Sequence, residues 1–185
     1  IDVAGVILNR VASDRHEAIL REALGGRMIG ALRHNDSLVL PSRHLGLVQA
    51  EENQRLETFV SSAALAVSRE TNLDRLLTIC AQVPDSTANR WSLPPLAQSV
   101  AIARDQAFSF LYPHLIESWR AQGATLSFFS PLNNEAPDAT AEAVFLPGGY
   151  PELHAGKLSN NKAFLNGLGT HKGLVYGECG GYMVL

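Results

Sequence analysis

The chain has 185 residues, of which 46% are hydrophobic and 18% charged, a composition typical of a soluble globular protein. Its formal net charge is −3 and its Lys and Arg residues are scattered, which argues against nucleic acid as a partner because phosphate binding needs clustered positive charge. No apolar run approaches the roughly 18–20 residues that a bilayer requires, so we expect no membrane association and a cytoplasmic location.

The first part of the chain predicts a strand, a helix and a second strand. Residues 3–8 form an apolar run rich in β-branched side chains, as in a buried parallel strand. Ser13 is placed to cap the helix SDRHEAILREAL, which Gly25 and Gly26 end. The segment RMIGAL then predicts a second strand, and the connection between the two strands should be right-handed.

Apolar residues recur at helical spacing between residues 50 and 70, which predicts an amphipathic helix. NLDRLLTICAQ extends the helical region, with Asn72 as its cap and Cys80 as a small packed residue near its end. The stretch QVPDSTANRWSLPPLAQ then holds three prolines, which lack a backbone donor and disfavour helix before them. We therefore predict a linker over residues 82–98 between two domains, residues 1–81 and 99–185.

Strands and helices alternate again after the predicted linker. SVAIA, ATLSFF, AEAVFL and GLVY predict strands, and helices are expected around PHLIESWRAQG and NKAFLNGLG. This alternation predicts an α/β fold with parallel sheets covered by helices. Sites in such sheets lie where loops leave the carboxyl ends of the strands, and two glycine-rich loops, LPGGYPELH and GECGG, follow strands here.

The second of these loops has the form GxCxG, the cysteine counterpart of a nucleophile turn. A nucleophile between a strand and a helix needs neighbours without Cβ, so that the backbone can bend and a substrate can approach. Cys179 would then attack the substrate and the Gly180 N–H would face the developing oxyanion. Residues 147–151 would bring another backbone N–H to the same oxyanion. The alternative is an inert cysteine in a glycine turn and an ordinary Pro-Gly turn.

The run VFLPGGYPELHAGKLSNNKAF, with VYGECGGYMVL after it, resembles the glutaminase domain of the cobyrinic acid a,c-diamide synthase family, relatives of the cobyric acid synthases. GVILNRV, GAL and LPSRHLGLVQAEE resemble the end of that family's ATP-dependent amidation domain. The likeness covers essentially the whole chain. It implies the tail of a P-loop, dethiobiotin-synthetase-like domain, followed by part of a class I, flavodoxin-like glutamine amidotransferase domain.

The resemblance implies that glutamine is hydrolysed at Cys179. The ammonia then amidates the a and c side chains of cobyrinic or hydrogenobyrinic acid in cobalamin biosynthesis, once ATP has activated these carboxylates. By matching motif positions, Gly149 and Gly180 are the oxyanion donors and Asn9 contacts the adenine base. The alternative for Asn9 is a turn-forming residue after a strand. Glutamine, ATP and the corrin are the implied partners, and a homo-oligomer is left open.

Two departures from the family's pattern qualify these expectations. No G-x-x-x-x-G-K-[ST] phosphate loop occurs, so we expect an internal fragment whose main residues for ATP and Mg²⁺ lie before Ile1, with no metal ligands in this chain. The family's catalytic histidine follows the cysteine, whereas all six histidines here precede it. We expect that base beyond Leu185, with His154 and His171 as loop or surface residues. A cobyric acid synthase, or a non-catalytic α/β ligand-binding or interaction module, is the alternative function.

Overall fold

The computed structural model describes residues 2–40, 48–80 and 92–185. The chain divides into two compact units, residues 1–87 and 88–185, each with its own parallel sheet. Most of the predicted linker lies outside the described residues, so the boundaries predicted at both of its ends stay predictions.

The first unit is built on two parallel strands joined by a helix. Ser13 caps that helix, because its hydroxyl accepts a hydrogen bond from the His16 N–H at 3.2 Å, and Asn72 caps the last helix through the Arg75 N–H at 2.9 Å. Both caps are as predicted. The regular elements are β1 (Val6–Val11), α1 (Asp14–Leu24), β2 (Met28–Arg33), α2 (Leu56–Glu70) and α3 (Leu73–Ile79), with 3₁₀ helices at Gly25–Arg27, Asp36–Leu38 and Ala50–Glu52.

Strand β1 begins and ends three residues later than the sequence predicts. Its pairing with β2 is irregular between Leu8 and Val11, where Arg10 adopts a positive φ of 58°. Val11 nevertheless pairs with Arg33. The strand therefore continues through the irregularity, and Asn9 lies inside it, not at its end.

The prediction that Cys80 is a packed residue is wrong. Cys80 is exposed and occupies the C-cap of α3, where its N–H donates to the Leu76 carbonyl oxygen at 3.1 Å. Helix α3 has only seven residues and ends at Ile79, so the position after it falls outside the helix's packed stripe.

The second unit is a four-stranded, fully parallel sheet in the order β4-β3-β5-β6. Parallel strands alternating with helices confirm the predicted α/β class. Its elements are β3 (Ser99–Ala103), α4 (Pro113–Ala121), β4 (Thr125–Phe129), β5 (Ala143–Leu146), α5 (Ala155–Leu158), α6 (Lys162–Thr170) and β6 (Leu174–Gly177), with 3₁₀ helices at Pro131–Asn133, Pro151–His154 and Cys179–Val184.

Both faces of this sheet are covered, as the apolar strands require. On one face Phe145 packs against Trp119 of α4, with ring centroids 5.8 Å apart. On the other face Val144 and Leu146 share a core with Phe164 of α6, which is fully buried. Alternate residues of β5 therefore pack into the cores on opposite faces of the sheet. This packing fixes the strand from whose carboxyl end the loop of residues 147–151 leaves.

The described end of the predicted linker lies against the second unit. Leu96 and Ala97 pack on the α4 side of its core. The Leu93 carbonyl oxygen accepts a hydrogen bond from the Gln122 side chain at 3.0 Å, and the Gln98 N–H donates to Glu142 Oε2 at 2.9 Å.

Candidate active site

Cys179 occupies a strained turn directly after β6. Its φ is 50°, in the left-handed region that costs a non-glycine residue on the order of 1–3 kcal/mol. The turn is held from both sides: the Glu178 N–H donates to the Leu146 carbonyl oxygen at 3.1 Å, and the Gly181 N–H donates to the Glu178 carbonyl oxygen at 2.8 Å. The cysteine itself is exposed, so the turn presents the thiol to solvent at the carboxyl end of the sheet.

The loop after β5 has no room for a side chain at Gly149. A Cβ placed there would overlap the carbonyl oxygen of Ala107, and it would lie 3.1 Å from the Cα of Phe108. Both neighbours are backbone atoms of fully buried residues, so they have little freedom to move aside. Gly149 also has a φ of 156°, which L-residues rarely adopt. Glycine is therefore required here by both space and conformation.

Gly180 connects the two glycine-rich loops. A Cβ on Gly180 would lie 2.7 Å from the Gly149 carbonyl oxygen and 2.6 Å from Pro151 Cδ, so the two loops are in contact at this point. A Cβ on Gly148 would likewise lie 3.2 Å from the Cβ of Cys179. The structure thus brings together the cysteine and the two glycines that the sequence singled out.

Within the part of the chain that the structure describes, the N–H groups of Gly149 and Gly180 have no hydrogen-bond acceptor. Both residues are buried, and most backbone N–H groups of buried residues have a partner in the folded chain. Two such donors beside a thiol are the arrangement that stabilises an oxyanion formed by attack of that thiol.

A third segment, which sequence reasoning missed, lies beneath the loop after β5. Residues 105–110 follow β3, and Phe110 forms an isolated antiparallel bridge with Gly148. Asp105 anchors the segment: its carboxylate accepts hydrogen bonds from the Ala107 N–H at 2.9 Å and the Leu132 N–H at 2.8 Å. The sequence could have indicated this segment, because it too follows the carboxyl end of a predicted strand, where sites in parallel sheets lie.

Neither nearby histidine is hydrogen-bonded to Cys179 in the described residues. His154 ends the 3₁₀ helix Pro151–His154, which contacts the 3₁₀ helix that begins at Cys179. His171 follows α6, and its Nε2 atom is buried beside Gly173 without a hydrogen-bond partner among the described residues. No catalytic base is therefore assigned by these contacts.

Asn9 lies in the first unit. Its Oδ1 accepts a hydrogen bond from the Arg10 N–H at 2.9 Å. Asn9 contributes to a cavity of about 520 Å³ at the carboxyl ends of β1 and β2, which His34, Asn35 and Val39 also line.

No helix in the described ranges is long and apolar enough to cross a bilayer. Across the same ranges, no group of three or more His, Cys, Asp or Glu side chains is placed to hold a metal ion.

Comparison with known proteins agrees with the geometry of the second unit. Residues 99–185 match the family model of the CobB/CobQ-like glutamine amidotransferase domain. The chain is 55% identical over 194 residues to a hydrogenobyrinate a,c-diamide synthase of Sinorhizobium sp, an alignment that covers 100% of this chain and 44% of the relative. The whole chain is therefore similar to part of this synthase.

Other relatives with the same printed function are similar. The synthase of Rhizobium meliloti (strain 1021) is 53% identical over 192 residues, covering 100% of this chain and 44% of the relative. That of Rhodobacter capsulatus is 50% identical over 188 residues, covering 99% and 43%. The chain therefore spans less than half the length of these curated relatives. No solved structure matches it significantly.

Proposed function

We propose that this chain carries the glutamine-hydrolysing site, and part of the ATP-dependent site, of an enzyme that amidates the a and c carboxylates of hydrogenobyrinic or cobyrinic acid. Glutamine, ATP and the corrin are its small-molecule partners, and cobalamin biosynthesis in the cytoplasm is its setting. The observation that carries the proposal is the exposed Cys179 at positive φ, beside the buried residues Gly149 and Gly180, whose N–H groups have no acceptor among the described residues.

The geometry supports a thioester mechanism at this site. The Sγ atom of Cys179 attacks the side-chain amide carbon of glutamine, and the carbonyl oxygen becomes an oxyanion that the N–H groups of Gly149 and Gly180 stabilise. The tetrahedral species collapses, the C–N bond breaks, and nitrogen leaves as ammonia after gaining a proton from a general acid. Water then attacks the thioester, which releases glutamate and restores the thiol.

The strained turn contributes to this mechanism by placing the thiol where glutamine can reach it. Cys179 is exposed at positive φ, so a substrate can reach its sulfur, and the two glycines allow the substrate amide to approach the backbone. From the family's pattern we propose that the general acid–base group is a histidine other than His154 and His171; in the described residues neither of these is hydrogen-bonded to the thiol.

In the first unit, Asn9 is the residue we propose to contact adenine. Asn9 lines the cavity at the carboxyl ends of β1 and β2, where nucleotides commonly bind in parallel sheets. Bound ATP would supply the phosphoryl group that activates a corrin carboxylate. The described residues offer no carboxylate cluster for Mg²⁺, so we propose that Mg²⁺ is held by residues other than these.

Covalent labelling tests the proposal. A diazoketone analogue of glutamine should modify Cys179 of the full-length protein with one equivalent bound, and glutamine should protect it. The other thiol, Cys80, is exposed but lies in the first unit, and it serves as an internal control that should stay unlabelled. Labelling of both thiols at similar rates, or no protection by glutamine, would favour a non-catalytic module.

A further inference from the structure

The peptide unit between Gly148 and Gly149 is held in one orientation by the segment after β3. The Gly148 carbonyl oxygen accepts a hydrogen bond from the Phe110 N–H at 3.0 Å. No cis peptide occurs in the described residues, and in a trans peptide the C=O and the following N–H point in opposite directions. The bond to Phe110 therefore turns the Gly149 N–H away from the segment beneath it.

This peptide needs an external constraint because both residues flanking it are glycines. Glycine lacks the Cβ that restricts φ and ψ, so a flip of the peptide between two glycines meets little local resistance. A flipped peptide would put the Gly148 carbonyl oxygen where a donor is required, and it would repel the oxyanion. The correct orientation is thus set by contacts from outside the loop.

The Phe110 ring adds a second contact to the same loop. It meets the Tyr150 ring edge to face, with centroids 5.3 Å apart and planes at 78°. Its Cδ2 atom would lie only 3.3 Å from a Cβ on Gly148, so ring and loop backbone are in close contact. Phe110 therefore engages the loop on both sides of the Gly149 peptide, through Gly148 and through Tyr150.

We infer that Phe110 is a positioning residue of the glutaminase site: its ring, packed against Gly148 and Tyr150, keeps the Gly148–Gly149 peptide in the orientation that the Phe110 N–H bond requires, so that the Gly149 N–H stays available to the oxyanion. Replacing the side chain leaves the backbone N–H in place, so the variants below test the ring. This inference rests on the proposed function. It assigns Phe110 no contact with the substrate, and it makes the oxyanion donor depend on a residue of a different loop.

The test is Phe110→Ala in the full-length protein, with readouts that separate the thiol from the oxyanion donors. We expect kcat for glutamine hydrolysis to fall by about 10- to 100-fold, less than the full loss of one oxyanion donor, with KM nearly unchanged. Affinity for glutamate γ-semialdehyde should fall by a similar factor, because its adduct with Cys179 places an oxygen among these donors. Alkylation of Cys179 by iodoacetamide should keep its rate, since displacement at a saturated carbon forms no oxyanion.

Two further variants keep the test sharp. Phe110→Leu retains an apolar side chain of moderate size and should show an intermediate loss, which keeps the inference testable if the alanine variant folds poorly. Tyr112→Ala is the matched control. It removes an exposed ring two residues after this segment, whose centroid lies 5.7 Å from that of the His114 ring, and it should leave all four readouts unchanged.

The outcomes distinguish the inference from the function beneath it. Wild-type kcat and aldehyde affinity in Phe110→Ala would overturn the positioning role while leaving the glutaminase assignment intact. A parallel loss of alkylation rate would also overturn it, because a general disturbance of the site would then explain the defect. Absence of glutamine hydrolysis in the wild-type protein would overturn the proposed function itself.

Discussion

Replacing Gly149 by Ala should damage the candidate oxyanion site more than the fold. An ideal Cβ would overlap the Ala107 carbonyl oxygen, and it would lie 2.8 Å from the Ala107 carbonyl carbon and 3.1 Å from Phe108 Cα. Ordinary contacts between carbon atoms are about 3.5–4.0 Å, so the loop must shift by roughly 1 Å. Ala107 and Phe108 are fully buried, which leaves the movement to Gly149 and its peptide N–H.

Two unfavourable terms set the loss of unfolding free energy in Gly149→Ala. Overpacking against a rigid wall costs about 1–3 kcal/mol, and the backbone conformation adds about 1–3 kcal/mol for an L-residue. The sum, about 2–6 kcal/mol, is large against a typical stability of about 5–15 kcal/mol, yet it need not unfold the protein. Displacing one oxyanion donor should lower kcat for glutamine hydrolysis by about 10²–10³-fold.

The assay combines chemical denaturation with steady-state glutamine hydrolysis by the full-length protein. Gly156→Ala is the matched control, because Gly156 lies in α5 with no atom near its missing Cβ, and alanine there should be neutral or stabilising by up to about 1 kcal/mol. A Gly149→Ala variant with wild-type turnover and stability would refute the reasoning. Equal loss of turnover in both variants would refute it as well.

Three further predictions follow from the described contacts. Trp119→Ala should cost about 3–5 kcal/mol in unfolding free energy, measured by denaturant titration, because this buried ring fills one core of the second unit; a loss below 1 kcal/mol would contradict that packing. His154→Ala and His171→Ala should each retain glutamine hydrolysis within a few-fold of wild type, and abolition by either would make that histidine the base. A hydrogen bond from Arg21 lowers the pKa of Glu17 from its ordinary value of 4.5. The ionised Glu17 carboxylate should therefore contribute its full stabilisation above pH 4.5, and this stabilisation should vanish as the pH falls through the lower pKa of the folded state. Thermal melts from about pH 2 to 7 should show that Glu17→Gln removes this part of the pH dependence of stability.

Much of the fold could be predicted because local signals agreed with the tertiary structure. Ser13 and Asn72 were recognised as caps from the residue type preceding an apolar helix, and both accept the expected backbone hydrogen bonds. The alternation of strands and helices was sufficient to predict a parallel sheet covered by helices in the second unit.

The departures occur where long-range pairing overrides local pattern. The register of β1 depends on β2, so the positive φ of Arg10 and the later end of the strand had no local signature. The first turn expected within residues 50–70 is a separate 3₁₀ helix, Ala50–Glu52, and α2 begins only at Leu56. Element boundaries of this kind are set by packing, not by propensity.

The candidate site was partly predictable for a similar reason. Glycine spacing identified Cys179 and Gly180, because a tight turn needs residues without Cβ on either side of a nucleophile. The role of Phe110 was not predictable, since its contact with Gly148 joins residues that are far apart in sequence. Only the folded sheet brings the carboxyl ends of β3 and β5 side by side.

The central claim is that Cys179 releases ammonia from glutamine for use at a separate amidation site. The most direct measurement compares corrin amidation by full-length Cys179→Ala with glutamine and with ammonium chloride as nitrogen source, with Cys80→Ala as control. We predict that the Cys179 variant loses glutamine-dependent amidation and keeps ammonia-dependent amidation near the wild-type rate, while the Cys80 variant keeps both. Persistence of glutamine-dependent amidation, or equal loss of both activities in a folded Cys179 variant, would contradict the claim.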